Sequence, residues 1–243
     1  MRHYSPTRPR PVVDLVATTA SYYSDFYTRN KEDSPDFSRT SLLRRARRYT
    51  NDLGSQDYVL DLGAGRQILE RMYVQAYGRP RFGIVTVDIA DIGEKILLTA
   101  RYPINIRHVR ANGAQLPFPH NSFPLVLSNM ALDFMPRNAI SEMYRVTRPS
   151  GHALVNLHHP SLIPANLDEL LEKSGTVGWN HRRNVGRIHP EVLAFWKYLR
   201  DNRILFENPY EIRTAFSEHG FIVQDVRETS KREDTWWEVD LLK

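Results

Sequence analysis

Short apolar runs alternate with amphipathic stretches along this chain. Over residues 37–53, Leu42, Leu43, Ala46 and Leu53 recur at helical spacing, with Arg44, Arg45, Arg47 and Arg48 filling the other side. Gly54 stops that helix. Tyr58–Leu62 reads as a buried strand that runs into Gly63-Ala64-Gly65. A helical stripe of Ile68, Leu69, Met72, Tyr73 and Ala76 follows and closes at Gly78. The cycle repeats with a strand over Phe82–Asp88, a helix over Ile92–Arg101 and strands over Ile104–Val109 and Phe123–Ser128. Ile140, Met143 and Tyr144 mark a helix closed by Pro149-Ser150-Gly151, and Ala153–Leu157 is a further strand. This alternation predicts an α/β fold, a parallel sheet covered by helices.

The pattern changes after His159. Residues 160–207 carry no strand signal. Asn166 with Glu169 resembles a capping box ahead of Leu167, Leu170 and Leu171, and Pro190 opens a helix with Val192, Phe195, Trp196 and Leu199 on one face. We read 160–207 as a helical insertion within one domain, 37–243, behind an N-terminal lead, 1–36. A stripe of Ile212, Ala215 and Phe216 ends at Gly220. Strands Phe221–Val226 and Trp236–Leu242 then flank a polar turn of about nine residues, as in a hairpin. Trp236 and Trp237 fall on opposite strand faces, which predicts one of them in the core.

Composition narrows the chemistry. The 243 residues are 41% hydrophobic, and no apolar run approaches the roughly 18 residues of a membrane span. With no secretory h-region either, and with Pro6, Pro9 and Pro11 interrupting the Arg-rich start, the expected location is cytoplasmic, away from membranes. There is no cysteine, which excludes thiolate metal sites, iron–sulfur clusters and thiol nucleophiles. The formal charge of +5 comes entirely from residues 1–50, and the rest of the chain is balanced. That excess is either a docking face for an anionic partner such as RNA, held through Arg44, Arg45, Arg47 and Arg48, or the solvated charged face of a packed helix.

The chemistry-bearing motif is the strand–glycine–helix turn at Gly63-Ala64-Gly65, whose helix start offers free amide groups to a ligand. Asp88 stands 23 residues after Gly65 at the end of the next strand, a spacing suited to binding ribose hydroxyls. Ile68 occupies the position where a nicotinamide fingerprint needs its third glycine, which argues against a dehydrogenase.

Residues 112–129, with Asn112-Gly113-Ala114-Gln115-Leu116-Pro117-Phe118 and Ser122-Phe123-Pro124-Leu125-Val126, resemble the class I S-adenosylmethionine-dependent methyltransferases of the type 11 branch. Tyr144-Arg145-Val146-Thr147-Arg148-Pro149-Ser150-Gly151 resembles a later turn of that branch. The resemblance implies a Rossmann-like seven-stranded sheet with an antiparallel C-terminal strand and helices on both faces. It implies S-adenosyl-L-methionine as cofactor. Asp61, Gly63, Ala64 and Gly65 would surround the methionine part, Asp88 the ribose, and Ile89, Asn112 and Gly113 the adenine. Ser128 and Asn129 would lie below the sulfonium. Three positions depart from the family pattern: Gln67 stands for a glycine, and Asn112 and Pro124 each stand for an aspartate.

Methyl transfer from a sulfonium is an in-line displacement, so positioning dominates and a base is needed only for a protonated nucleophile. His158 and His159 end the fifth strand, and alternation should point one of them at the ligand crevice. That imidazole either removes a proton or shapes the pocket. Asp133 either orients a substrate or caps a short helix. Tyr22, Tyr23 and Tyr27 either close over the cofactor or pack an N-terminal helix. Trp179, His181, Arg182, Arg183 and His189 lie in the insertion, where an acceptor would be covered. No spacing among the histidines suits a metal, so none is expected.

Two enzyme readings follow: methylation of oxygen or nitrogen of a small organic molecule, or methylation of RNA or another macromolecule docked on the basic helix. A third is an inactive cofactor-binding scaffold, motivated by Gln67, Asn112 and Pro124. The missing cysteine rules out covalent cytosine methylation. Ser128-Asn129-Met130-Ala131 lacks the paired prolines common in methylation of exocyclic amines of nucleic acids.

Overall fold

The computed structural model describes residues 37–90, 105–172, 190–201, 205–231 and 234–243. The lead with Tyr22, Tyr23 and Tyr27, the helix expected over Ile92–Arg101, and Trp179, His181, Arg182, Arg183 and His189 lie outside them. Helix α1 (Phe37–Thr50) precedes β1 (Tyr58–Leu62), α2 (Ile68–Tyr77), β2 (Gly83–Asp88), β3 (Ile106–Arg110) and β4 (Phe123–Asn129). A 3-10 turn (Leu132–Phe134) leads to α3 (Asn138–Val146) and β5 (Thr147–His158). Helices α4 (Leu167–Glu172), α5 (Pro190–Asp201) and α6 (Pro209–Glu218) follow, and the chain ends in β6 (Ile222–Lys231) and β7 (Asp234–Leu242).

The seven strands lie in the order β3-β2-β1-β4-β5-β7-β6. The first five are parallel, and β7 runs antiparallel between β5 and β6. Alternation along each strand separates two apolar layers. Leu60, Val126, Val155 and Val239 face Met143 of α3 and Phe216 of α6. Val59, Leu125, Leu127 and Leu154 face Leu42, Leu43 and Ala46 of α1 and Leu69 and Tyr73 of α2. Because both faces are covered, both Trp236 and Trp237 are buried, where one core tryptophan was expected.

Arg45 departs from the expected basic face. It is 4% exposed and turned onto the sheet, where it pairs with Asp240 and hydrogen-bonds Asn156. A phosphate has no access to it. Arg44, Arg47 and Arg48 are exposed as expected, and Arg47 lies over the Tyr77 ring.

The turn expected at Pro149-Ser150-Gly151 sits inside β5 as a bulge: Phe123 pairs with Thr147, and the next pair is Leu125 with His152. Pro124, the departure from the family aspartate, occupies this irregularity, where a missing N–H breaks no ladder bond. Strand β6 runs to Lys231, beyond the Val226 expected, because Arg227–Lys231 keep pairing with β7 as a polar edge. The insertion's helices share a small core of Leu167, Leu193, Trp196, Leu199 and Leu205 with Phe134, and Arg200 pairs with Asp168 between them. No helix among the described residues is long and apolar enough to cross a membrane.

Candidate active site

The carboxyl ends of β1, β2, β4 and β5 share one edge of the sheet. Strand order reverses between β1 and β4, and ligands of open α/β sheets bind at such a point. The glycine turn leaves β1 here. Gly63 and Gly65 have φ of 78° and 50°, and the N–H groups of Gly63 and Ala64 both donate to Val87 O. A Cβ on Gly63 would stand 2.2 Å from Ala131 Cβ, so only glycine lets the β1 and β4 loops approach this closely.

Asp88 ends β2 beside this turn. Its two carboxylate oxygens accept from Gly65 N and Ala90 N, each at 2.8 Å. Burial pushes its pKa up, opposed by those two N–H donors. Each oxygen keeps a lone pair for a ligand hydroxyl.

Gln67 explains itself structurally. Its φ is 57°, the left-handed region that a glycine would fill without strain. Its buried side chain compensates by donating to Thr86 Oγ1 at 2.9 Å, and Thr86 in turn bonds His108 Nδ1 at 3.0 Å. Asn112 likewise does a local job: its Oδ1 accepts from Ala114 N at 2.9 Å, bending the loop that carries Gly113.

Asp61 points from β1 to the α1–α2 side and meets Glu70 there. Both are buried, and Asp61 Oδ1 and Glu70 Oε2 have no hydrogen-bond partner. Burial and the adjoining Glu70 carboxylate hold the Asp61 pKa well up. Glu70 was invisible to motif reading, as was Met135. The Met135 side chain covers the glycine turn and the Gly113 loop together: its Cε is 3.2 Å from a Cβ placed on Gly63, and its Sδ 2.4 Å from one placed on Gly113.

At the end of β4, Ser128 is fully buried and its Oγ has no partner. Asn129 points to the α1 side, where its Oδ1 accepts from Ser38 Oγ and Asn156 Nδ2. At the end of β5, His158 Nδ1 stands 3.0 Å from Asp133 Oδ2, which also accepts the His158 N–H at 2.9 Å. Asp133 therefore does not cap its own turn: its Oδ2 holds His158, and its buried Oδ1 has no hydrogen-bond partner. The Phe134 ring packs 4.8 Å from the imidazole and joins it to the insertion's core. His159 faces the β6–β7 hairpin. It bonds Ser161 through Nδ1 and lies 4.9 Å from the Trp237 ring.

The two sequence signatures turn out to be one clamp. Arg145 donates to Phe118 O at 2.7 Å and Leu116 O at 2.9 Å, while Glu142 accepts from Leu116 N. The Leu116-Pro117-Phe118 loop is thus bolted to α3.

Residues 60–155 match the family model described as a methyltransferase domain. This stretch is a class I, S-adenosylmethionine-dependent methyltransferase domain. The methyltransferase domain aligns with the ubiquinone/menaquinone biosynthesis C-methyltransferase of Hahella chejuensis at 37% identity over 107 residues, 40% of this chain and 41% of that protein. The chain thus spans about two-fifths of the length of that relative. The 1,6-didemethyltoxoflavin-N1-methyltransferase of Burkholderia thailandensis shares the methyltransferase fold, with TM-score 0.59, 15% identity, and 100% and 93% of the two chains covered. The geranyl diphosphate C-methyltransferase of Streptomyces coelicolor superposes with TM-score 0.59 at 10% identity, covering 96% of this chain and 99% of that one.

Proposed function

We propose that this protein is an S-adenosylmethionine-dependent methyltransferase acting on a small organic molecule. The observation that carries this reading is the bond from Gly65 N to the Asp88 carboxylate, which sets the glycine turn and a buried acid on one edge beside the β1–β4 switch. The residues present fit the cofactor. Asp88 keeps lone pairs for ribose hydroxyls, Gly113 and Ile89 flank the adenine position, and Gly63, Ala64, Gly65 and Asp61 line the methionine position. Ser128 Oγ and Asn129 Nδ2 are buried polar atoms awaiting partners there. When bound, the cofactor supplies an electrophilic methyl group.

His158 is the base in this reading. Asp133 takes the proton-bearing Nδ1, which leaves Nε2 as the basic nitrogen. Phe134 ties the imidazole to the insertion, which serves as the lid over the acceptor. The range of acceptor atoms widens from oxygen and nitrogen to carbon, since the Hahella relative and the Streptomyces neighbour are named as C-methyltransferases. The scaffold reading loses its motive, because Gln67 and Asn112 each make a local hydrogen bond and Pro124 sits at a strand irregularity that tolerates it. The RNA reading keeps Arg44, Arg47 and Arg48 and loses Arg45.

Calorimetric titration with S-adenosylmethionine tests the proposal. Binding is expected, together with S-adenosylhomocysteine release on a small-molecule acceptor panel. No binding to the folded protein would end it.

A further inference from the structure

Asn129 carries an orphan. Its Nδ2 is buried and has no hydrogen-bond partner, while its Oδ1 is engaged twice. An unpaired buried amide group is costly and calls for a ligand. Which end of this amide is left over follows from hydrogen-bond polarity alone.

The chain of reasoning starts at Arg45, which has only donors. Its NH2 group meets the Asn156 side chain, so the atom of Asn156 facing it must be Oδ1. Asn156 Nδ2 then faces the other way. It donates to Ser38 O at 2.7 Å, a carbonyl that has only acceptors, and to Asn129 at 2.9 Å. The atom of Asn129 that receives this bond must be Oδ1. Asn129 Nδ2 is therefore the free end, at the carboxyl end of β4. Arg45 itself is locked by Asp240, by Val239 O at 3.3 Å and by Glu238 at 3.7 Å. Asn156 is fully buried, so water has no part in its orientation.

The geometry points to Asn129 as a hydrogen-bond donor to an oxygen atom of the bound ligand, a carboxylate, phenolate or carbonyl, with Asn156 and Arg45 as positioning residues that set this polarity. The inference rests on reading the crevice as the cofactor and acceptor site, and it adds a substrate property. A phenolate or enolate brings an oxygen to such a donor. A nucleophilic amine must aim its one lone pair at the methyl group, which leaves only N–H groups to face this donor, and it is rejected. Two sources supply the oxygen: the cofactor's carboxylate or the methyl acceptor.

Asn129→Asp is the local test. Its carboxylate still accepts from Asn156 and Ser38, and it puts an oxygen where Nδ2 stands. Asn156→Asp is the remote test. An acid there has no donor for Asn129, so the Asn129 amide turns over and presents Oδ1 to the ligand. S-adenosylhomocysteine, and 5′-methylthioadenosine, which lacks the amino-acid part, are titrated into the full-length proteins. Phenols and 1,3-dicarbonyls, and separately oxygen-free alkyl amines, are offered with S-adenosylmethionine.

Both variants should lose roughly ten-fold or more for the oxygen ligand, a hydrogen bond's worth, with methylthioadenosine binding unchanged. A loss for S-adenosylhomocysteine assigns the oxygen to the cofactor's carboxylate. Unchanged S-adenosylhomocysteine binding with lost kcat/KM for oxygen acceptors assigns it to the methyl acceptor. Unchanged S-adenosylhomocysteine binding without any such loss, whether or not a member of the panel is turned over, overturns the inference. So does turnover confined to amines. If wild-type protein binds neither nucleoside, the methyltransferase reading fails separately. The Asn129 side-chain amide signal in 15N NMR spectra, assigned by its absence in Asn129→Asp, then decides the relay. Movement of that signal in Asn156→Asp supports it, and an unmoved signal overturns it. Should Asn156→Asp not fold, Asn129→Asp decides alone.

Discussion

One carboxylate oxygen, Asp133 Oδ2, accepts both the ring Nδ1 and the backbone N–H of His158, at 3.0 and 2.9 Å. Ring and main chain are thus fixed together. If His158 is the base, His158→Ala should lower turnover by about 10²–10⁴-fold. Asp133→Asn can donate to Nδ1 and so favour the wrong tautomer. It should lower kcat with KM nearly unchanged and alter the pH profile of kcat. His159→Ala should stay within a few-fold. Steady-state kinetics across the neutral range checks all three, and a purely structural Asp133 would move only the melting temperature.

Asp88 makes two charge-assisted bonds to main-chain N–H groups, and in the proposed reading it holds the ribose. Asp88→Ala should weaken S-adenosylhomocysteine binding by about 1.5–3 kcal/mol, roughly 10- to 100-fold. Calorimetry reads this directly. Adenine binding should survive, because Gly113 and Ile89 are untouched.

Gln67 balances strain against a hydrogen bond. Gln67→Ala keeps the left-handed backbone and loses the bond to Thr86, so it should destabilise by about 1–2 kcal/mol. Gln67→Gly also loses the bond but relieves about 1 kcal/mol of backbone strain, and should be near neutral. Urea denaturation of the two variants should separate them in that order.

The Asp61–Glu70 pair gives a pH signature. The folded-state pKa of Asp61 is raised by burial and by Glu70. The native state therefore keeps a proton that the unfolded chain releases above about pH 4. This contribution to stability is fully present below the unfolded value and is lost as pH rises through the folded one. Asp61→Asn supplies a neutral partner that still donates to Glu70. Its stability relative to wild type should therefore grow with pH in thermal melts. A constant offset at every pH would show that the pair holds no proton.

Arg45 and its neighbours on α1 should behave oppositely. Arg45→Ala leaves Asp240 and Glu238 without their buried partner and should cost about 3–5 kcal/mol. Arg44→Ala and Arg48→Ala should change stability by no more than about 0.5 kcal/mol. If RNA docks on this helix, reversing Arg44, Arg47 and Arg48 to Glu should weaken RNA binding and its salt dependence. Unchanged binding would remove the support for that reading.

The alternation of elements, the parallel sheet, the glycine turn and Asp88 were legible from residue order. They rest on local rules: apolar period, turn chemistry and a fixed spacing within one β–α–β unit. Leu116–Phe118 and the later Arg145 stretch were legible as separate signatures, though not as the clamp they form. Other features depended on which distant groups the sheet brings together. Arg45 looks like Arg44 and Arg48 in sequence, and distant partners such as Asn156 and Asp240, 111 and 195 residues away, draw it inward. Asp133 finds its partner across 25 residues, because β4 and β5 are adjacent and end together. Glu70 and Met135 carry no motif at all. A buried charge or amide is costly until it is paired, so its partner decides its place, and partners across a sheet are set by strand order.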